Sequence, residues 1–559
     1  MKRYFLGPLA LLLPAAAVSA QSFAITGLQP AANSTAIPRT GSLQVAFSLP
    51  LAADAGTAGG LTVFSSQYAG RLSGATAVAG NTLTFRPTSG FRPGEKVLVS
   101  VPTTVRSSTG TALARARVYE LTAAALGSSG PFPPSVTVGV GNAPFNVATG
   151  DLNNDGSLDL VTANLGSGDV SVRLNNGQGT FGGTGLVGVG PVPFWVQLGD
   201  IDGDGDLDIL TANLGNSTIS IRPNDGLGQF GAGSNLPVSI QVRHLALTDI
   251  DGDGDLDILG VGEGSNPGLN VLRNIGAGSF AAPVALAVGS VPWFVAAADV
   301  DNDGDQDALV ANNDADGTVD LLRNDGFGTF TRTVVLRLSG ALSSVSTADM
   351  DADGDQDLLI TNIGSNTLVM ARNNGQGAFA VASTLPNMGQ PRMAVPADMN
   401  GDGAPDVVTS SQGREQVIVA VNNGLGQLSR TNFLSTALEP IGVATGDIDA
   451  NGTLDILVAN IGSNIVSTWL SNAGVPTSST AGGAPAARLQ LVPNPAYQTT
   501  RVQVPAGTAQ VQLISPLGQV VRTQPVGAGQ AEVLVPLAGL PAGVYLVRAG
   551  QAVGRLVVQ

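Results

Sequence analysis

Seven nine-residue stretches open at Asp151, Asp200, Asp249, Asp299, Asp349, Asp398 and Asp447. Each alternates acidic or amide residues with others, carries Gly at its sixth position and runs straight into apolar sequence. The second copy, "DIDGDGDLDILTAN" from Asp200 to Asn213, holds five aspartates within nine residues. The copies follow one another at intervals of 49, 49, 50, 50, 49 and 49 residues. Chance could place one such stretch but not seven in register. A period of this size marks a propeller or solenoid, in which each repeat buries its apolar faces against its neighbours.

Carboxylates this close repel one another, so a folded loop calls for a positive partner among them. Hard oxygen donors at positions 1, 3, 5, 7 and 9 of a turning loop suit Ca²⁺, which takes six to eight oxygens at loose geometry. The sixth-position Gly supplies the positive φ of a tight turn. In the first copy the candidate ligands are Asp151, Asn153, Asp155, Ser157 and Asp159. The next four copies are all aspartate: Asp200, Asp202, Asp204, Asp206 and Asp208; Asp249, Asp251, Asp253, Asp255 and Asp257; Asp299, Asp301, Asp303, Asp305 and Asp307; Asp349, Asp351, Asp353, Asp355 and Asp357. The sixth offers Asp398, Asn400, Asp402, Ala404 and Asp406, and the seventh Asp447, Asp449, Asn451, Thr453 and Asp455. Because Ser157, Ala404 and Thr453 hold position 7, that position is expected to contribute its backbone carbonyl. An EF-hand is excluded: its twelfth-position Glu is replaced here by Thr211, and a short strand follows rather than a helix. Up to seven structural Ca²⁺ ions are expected.

The repeats account for most of the charge. Of the 42 acidic residues, 29 lie inside the seven loops, so the net charge of −16 is largely metal-site charge. No basic patch points to nucleic acid. Residues 1–20 read as a secretory signal: Lys2 and Arg3, an apolar run from Leu9 to Ala17, and Val18-Ser19-Ala20 before Gln21. The run is short for a membrane span, and no other stretch is long enough for one. The chain has no cysteine, so no disulfide stabilises it.

Residues 22–122 alternate like short strands, as in "SLQVAFSLP" and "EKVLVSVP", and read as an all-β sandwich. Residues 123–134, with "GSSGPFPPS", read as a linker. Each repeat over 135–474 divides into four strands, exemplified by "PFWVQLGD", "DILTAN", "STISIRPN" and "QFGAGSNLPVSI", with turns such as "NDGLGQF" between them. The metal loop joins the first strand to the second. Seven such units predict a seven-bladed β-propeller. The last repeat lacks a fourth strand, and "SVTVGVG" at 135–141 is expected to complete it and close the ring. Residues 475–487 are a second linker, and 488–559 a further β-sandwich.

The repeated D-x-D/N-x-D/N-G-x-x-D loop followed by an apolar strand resembles the FG-GAP/VCBS repeat proteins, which include the propeller of integrin α subunits. That resemblance implies Ca²⁺ in these loops. Residues 22–122, with Pro30 to Ser34, Phe85 to Pro87 and Phe91 to Gly94, resemble bacterial Ig-like domains, which usually act as spacers. The C-terminal "LVPNPA", "LAGLPAGVYLVRAG" and Arg555 before a final strand resemble the type A sorting domain of the type IX secretion system of Bacteroidetes. The implied route is Sec export, then delivery by the type IX machinery to the cell surface or medium.

The expected role is adhesion or ligand binding rather than catalysis. His244 is the single histidine, and the acidic residues outside the loops are scattered. The face opposite the metal loops is expected to carry Trp195, His244 and Trp293, at the starts of innermost strands, as contacts for a carbohydrate or protein. The competing expectation is that these rings pack between blades. A polysaccharide-degrading enzyme on the same scaffold and a passive surface-layer component are the alternatives.

Overall fold

The computed structural model describes residues 22–68, 70–128, 132–472 and most of 489–558. The signal segment 1–20 and the linker 475–487 lie outside the described residues. The described residues are all-β apart from a four-residue helix, Ala55–Ala58, and a single 3₁₀ turn.

Seven four-stranded antiparallel sheets span residues 136–469. Their first strands are Pro144–Gly150, Pro193–Gly199, Gln241–Thr248, Pro292–Ala298, Leu342–Ala348, Pro391–Ala397 and Pro440–Gly446. Each packs against the next, and the last packs against the first, so the sheets form a closed ring of blades. In six blades the second strand is buried at every position. It lies between neighbouring sheets on both faces, which is why it reads as a nearly unbroken apolar run. The seventh blade has only three strands of its own in sequence order. Val136–Gly139 supplies the fourth, pairing Val136 with Thr468 and Gly139 with Ile465.

A side-chain latch ties each of blades one to six to the blade before it. An Asn closes the third strand in four of them (Asn175, Asn324, Asn373 and Asn422) and lies two residues beyond it in blades two and three (Asn224 and Asn274). The Asn224 amide donates to the carbonyl of Leu207 in its own blade (3.1 Å) and of Leu152 in the preceding one (2.9 Å). Asn324 does the same with Gln306 and Ile250. Asn175 reaches Leu158 and, across the closure, Ile448 of blade seven at 2.7 Å. These asparagines are buried, and each answers carbonyls that would otherwise be buried without a donor.

Residues 22–122 form two sheets around their own core, one of four strands and one of three. This Ig-like unit sits on the metal-loop side of the propeller and touches the loop region of every blade. Gln67 accepts from Asp151 N–H, and Arg71 N–H donates to Asp200. In blade three Ala116 and Thr62 press so close to Gly252 and Gly254 that a Cβ on either glycine would meet them, and Val118 N–H donates to Gly304 O. Asn33 and Thr35 donate to the carbonyls of Gly354 and Gly403. Part of the expected linker is packed as well: Leu126 N–H donates to Gly452 O and Ser128 N–H to Met399 O. The sequence reading missed this because the contacts are mostly to backbone atoms, which leave no residue pattern. Farther on, residues 489–558 form a three-stranded and a four-stranded sheet around a separate core.

Replacing a latch asparagine strands two buried carbonyls. Asn224→Ala and Asn175→Ala should each lower stability by about 1–3 kcal/mol per carbonyl left without a donor. Urea denaturation of the single variants checks this, and unchanged midpoints would show that the latch contributes little.

Candidate metal loops and channel mouth

The seven loops share one hydrogen-bond frame. The first aspartate accepts from the N–H of the sixth-position glycine in all seven, at 2.9–3.0 Å. Those glycines have φ between +86° and +97°, a backbone conformation costly for any residue with a Cβ. The ninth-position aspartate ties the loop down with both oxygens. In blade two, Asp208 accepts from Ile201 N–H at 3.0 Å and from Asn224 N–H at 2.9 Å. The equivalent pair recurs in every blade, ending with Asp455 and the N–H groups of Ile448 and Ser471.

In five loops three carboxylates bring oxygens within 4.8 Å of one another: Asp200, Asp202 and Asp208; Asp249, Asp251 and Asp257; Asp299, Asp301 and Asp303; Asp349, Asp351 and Asp353; Asp447, Asp449 and Asp455. The other two loops carry Asn153 and Asn400 at the third position, where an amide replaces a carboxylate. There the amide donates to its neighbour, Asn153 to Asp155 and Asn400 to Asp402. These clusters could hold metal ions. The fit is supported by buried oxygens with no hydrogen-bond partner: Oδ1 of Asp251, Asp299, Asp301, Asp351 and Asp447. In blades three to five an arginine pairs with the other oxygen of the third-position aspartate: Arg273 with Asp251 (3.4 Å), Arg323 with Asp301 (3.4 Å) and Arg372 with Asp351 (3.0 Å). The guanidinium thus engages Oδ2 and leaves Oδ1 free to serve as a ligand.

Burial, and then the neighbouring carboxylates, push these acids up, against the pull of their N–H donors. Asp159, Asp208, Asp406 and Asp455 rise to about 7, Asp307 and Asp357 to about 8, and Asp257 to about 9. The Ig-like unit supplies some positive charge of its own. Arg92 lies 3.9 Å from Asp151, Arg117 4.0 Å from Asp299 and Arg115 3.2 Å from Asp305.

At the other end of the channel, a β-bulge opens each first strand. In blades one to five one residue is left without a cross-strand partner: Phe145, Phe194, Arg243, Trp293 and Ser343. In blades six and seven the irregularity spans Arg392–Met393 and Ile441–Gly442. A bulge re-aims its side chain. Here the bulged residues and those that follow line a narrow pocket whose empty space, counted out into the solvent at its opening, is about 360 Å³.

Trp195, His244 and Trp293 all border this pocket, but not equally. Trp195 is 7 % exposed and belongs to a core shared by blades two and three. The His244 ring lies 4.0 Å from Trp195 and 3.5 Å from Phe294. Trp293 is more open, with Phe194 edge-on at 5.8 Å and the Arg243 guanidinium stacked at 4.1 Å. The sequence reading missed Arg243 and Arg392. A periodic signal was available: the residue six positions before the first loop aspartate is Phe145, Phe194, Arg243, Trp293, Ser343, Arg392 or Ile441.

Six overlapping segments, 151–211, 200–260, 249–310, 300–360, 349–409 and 398–458, match the model of the FG-GAP-like repeat. The chain belongs to the FG-GAP-like repeat family. The FG-GAP repeats are flanked by a match to the bacterial Ig-like domain at 20–122 and to the secretion system C-terminal sorting domain at 490–559. The sorting domain supports secretion through the type IX machinery to the cell surface or outside. No helix among the described residues is long and apolar enough to cross a membrane. No curated protein matches the chain. Among solved structures it is similar to an Agrocybe aegerita lectin described as recognising non-reducing terminal N-acetylglucosamine, at 20% identity over 74% of this chain and 98% of that one, with a TM-score of 0.40. It is also similar to hydrazine synthase of Kuenenia stuttgartiensis, at 16% identity over 61% of this chain and 98% of that one, with a TM-score of 0.45.

Raised carboxylate pKa values fix the sign of a pH effect. From the unfolded value near 3.8 up to about 7–9, the chelated native state binds more protons than the unfolded state. Its stability should therefore fall as pH rises through that window. A bound divalent cation holds the acids ionised and should flatten or reverse the slope. Melting curves at pH 5 and pH 8, with and without chelator, check both signs.

Proposed function

We propose that the chain is an exported, calcium-stabilised FG-GAP propeller that acts as a non-enzymatic binding module, holding a carbohydrate or protein ligand at the channel mouth. Two opposed faces support this reading. One is covered by the Ig-like unit, which contacts the loop region of every blade. The other is lined by aromatic and cationic side chains and opens to solvent. The single observation carrying the proposal is this open, aromatic mouth on the uncovered side.

Calcium suits the loops because several carboxylate oxygens and a backbone carbonyl can approach one centre with loose geometry, whereas Mg²⁺ demands a tight octahedron. When bound, the ion would offset carboxylate repulsion and rigidify the loops. Asp208 and its counterparts would still hold the loop ends through their N–H donors. A non-catalytic mouth is consistent with its hydrogen bonds. The Ser343 hydroxyl is engaged with Pro391 O (2.8 Å) and with Thr361, so it is not poised beside His244 as a nucleophile beside its base.

Chelation should lower the melting temperature markedly, and Ca²⁺ should restore it better than Mg²⁺. An unchanged melting temperature would remove calcium from the proposal. A glycan and protein array probed with the calcium-loaded mature chain tests the binding role. Binding lost in Trp293→Ala with an unaltered melting temperature is the expected outcome.

A further inference from the structure

The mouth is rich in hydrogen-bond donors that lack acceptors. His244 is 5 % exposed, and its Nδ1 accepts from Val295 N–H at 3.4 Å. Burial holds its pKa well below the ordinary value, so the ring is neutral and its proton sits on Nε2. That Nε2–H is buried with no partner. Arg243 bonds Glu263 through one terminal nitrogen, while its Nε is buried and unpartnered. Arg392 gives its Nε to Gln412 at 2.6 Å, and its terminal nitrogens make no hydrogen bond or ion pair among the described residues. The lining holds no acidic side chain. Three donors without acceptors, beside aromatic faces, describe a site for an anionic group carried on a ring that can stack.

Arg243 and Arg392 stand three blades apart, as far as a seven-membered ring allows, so they flank the mouth rather than share one edge. Arg243 is already neutralised by Glu263 and stacked on Trp293 and Phe194. Arg392 makes no such close ion pair, its nearest charge influence being Glu439, which leaves its terminal nitrogens as the principal donors offered to a ligand. Resting on the binding role proposed above, we propose that the channel mouth takes an acidic sugar. The anionic group is held by Arg392, Arg243 Nε and His244 Nε2–H, and the pyranose face packs on Trp293. Guanidinium–carboxylate hydrogen bonds are short and charge-assisted, and a guanidinium fits sulfate oxygens in the same fork. The ring supplies the C–H face that an indole accepts.

The test uses the calcium-loaded mature chain with oligogalacturonate, a sulfated galacto-oligosaccharide, a neutral galacto-oligosaccharide and polyglutamate, measured by calorimetry. Binding of an acidic oligosaccharide, weakened by salt and reduced about 10- to 100-fold in Arg392→Gln, is the expected result. Trp293→Ala should weaken it too, with the melting temperature of both variants confirming the fold. Uronate and sulfate arms identify which anionic group is taken, and either one supports the site. Equal affinity for the neutral sugar, or an Arg392→Gln variant that binds as the parent does, would overturn the proposal. Neutral-sugar binding that falls only in Trp293→Ala would overturn it while leaving the binding role intact. Polyglutamate binding without oligosaccharide binding, or no binding to any of the four, would overturn it as well.

Discussion

Mutual repulsion among buried carboxylates is the constraint that the propeller is built around. Each loop gathers acids whose ionised forms the interior disfavours, and holds them by backbone N–H groups drawn from the loop itself and from the far end of the third strand. The ninth aspartate joins these two regions, so one side chain sets both the loop and the position of the blade's outer half. The latch asparagine begins at that same backbone point, since Asn224 gives its N–H to Asp208 and its side-chain amide to Leu207 and Leu152. Charge in a loop is thereby coupled to the seam between blades. A cation that relaxes the repulsion stabilises more than its own coordination shell.

The Ig-like unit changes what the two ends of the channel can do. Its arginines approach the acids at Asp151, Asp299 and Asp305, and other residues of the unit meet loops at the remaining blades. Isolated exposed ion pairs of this kind contribute little each. Here they join a continuous contact around the ring, and the buried partners lie in the loops. The loop face is therefore a structural interface within the chain, and the variable bulge positions at the opposite end are left uncovered by it.

Much of this was legible from the residues, for identifiable reasons. Loop frame, strand count and closing strand follow from Asp and Gly recurring at a fixed period and from a missing fourth strand before residue 475. Both ends of the argument rest on strong local chemistry: a positive-φ glycine and a strand without a partner. Docking of the Ig-like unit was illegible because Asn33, Thr35 and Val118 address backbone atoms, for which any loop sequence would serve. The latch was hidden inside turn sequences such as "NDGLGQF", where the first Asn reads as turn chemistry. Arg243 and Arg392 escaped because the bulge position conserves location and not chemistry: Phe, Phe, Arg, Trp, Ser, Arg and Ile share one place in seven blades.

The closing strand has a temporal consequence. Val136 and Thr468 are paired across a separation of 332 residues. The first propeller strand to leave the ribosome therefore waits for the last blade, and non-local pairing of this length is slow. A chain cut anywhere before blade seven keeps an unmatched strand and an open sheet edge, the features that cells recognise as unfinished or that aggregate. The sorting domain lies beyond blade seven in the chain. A growing chain long enough to carry the sorting domain thus also carries every residue needed to shut the ring.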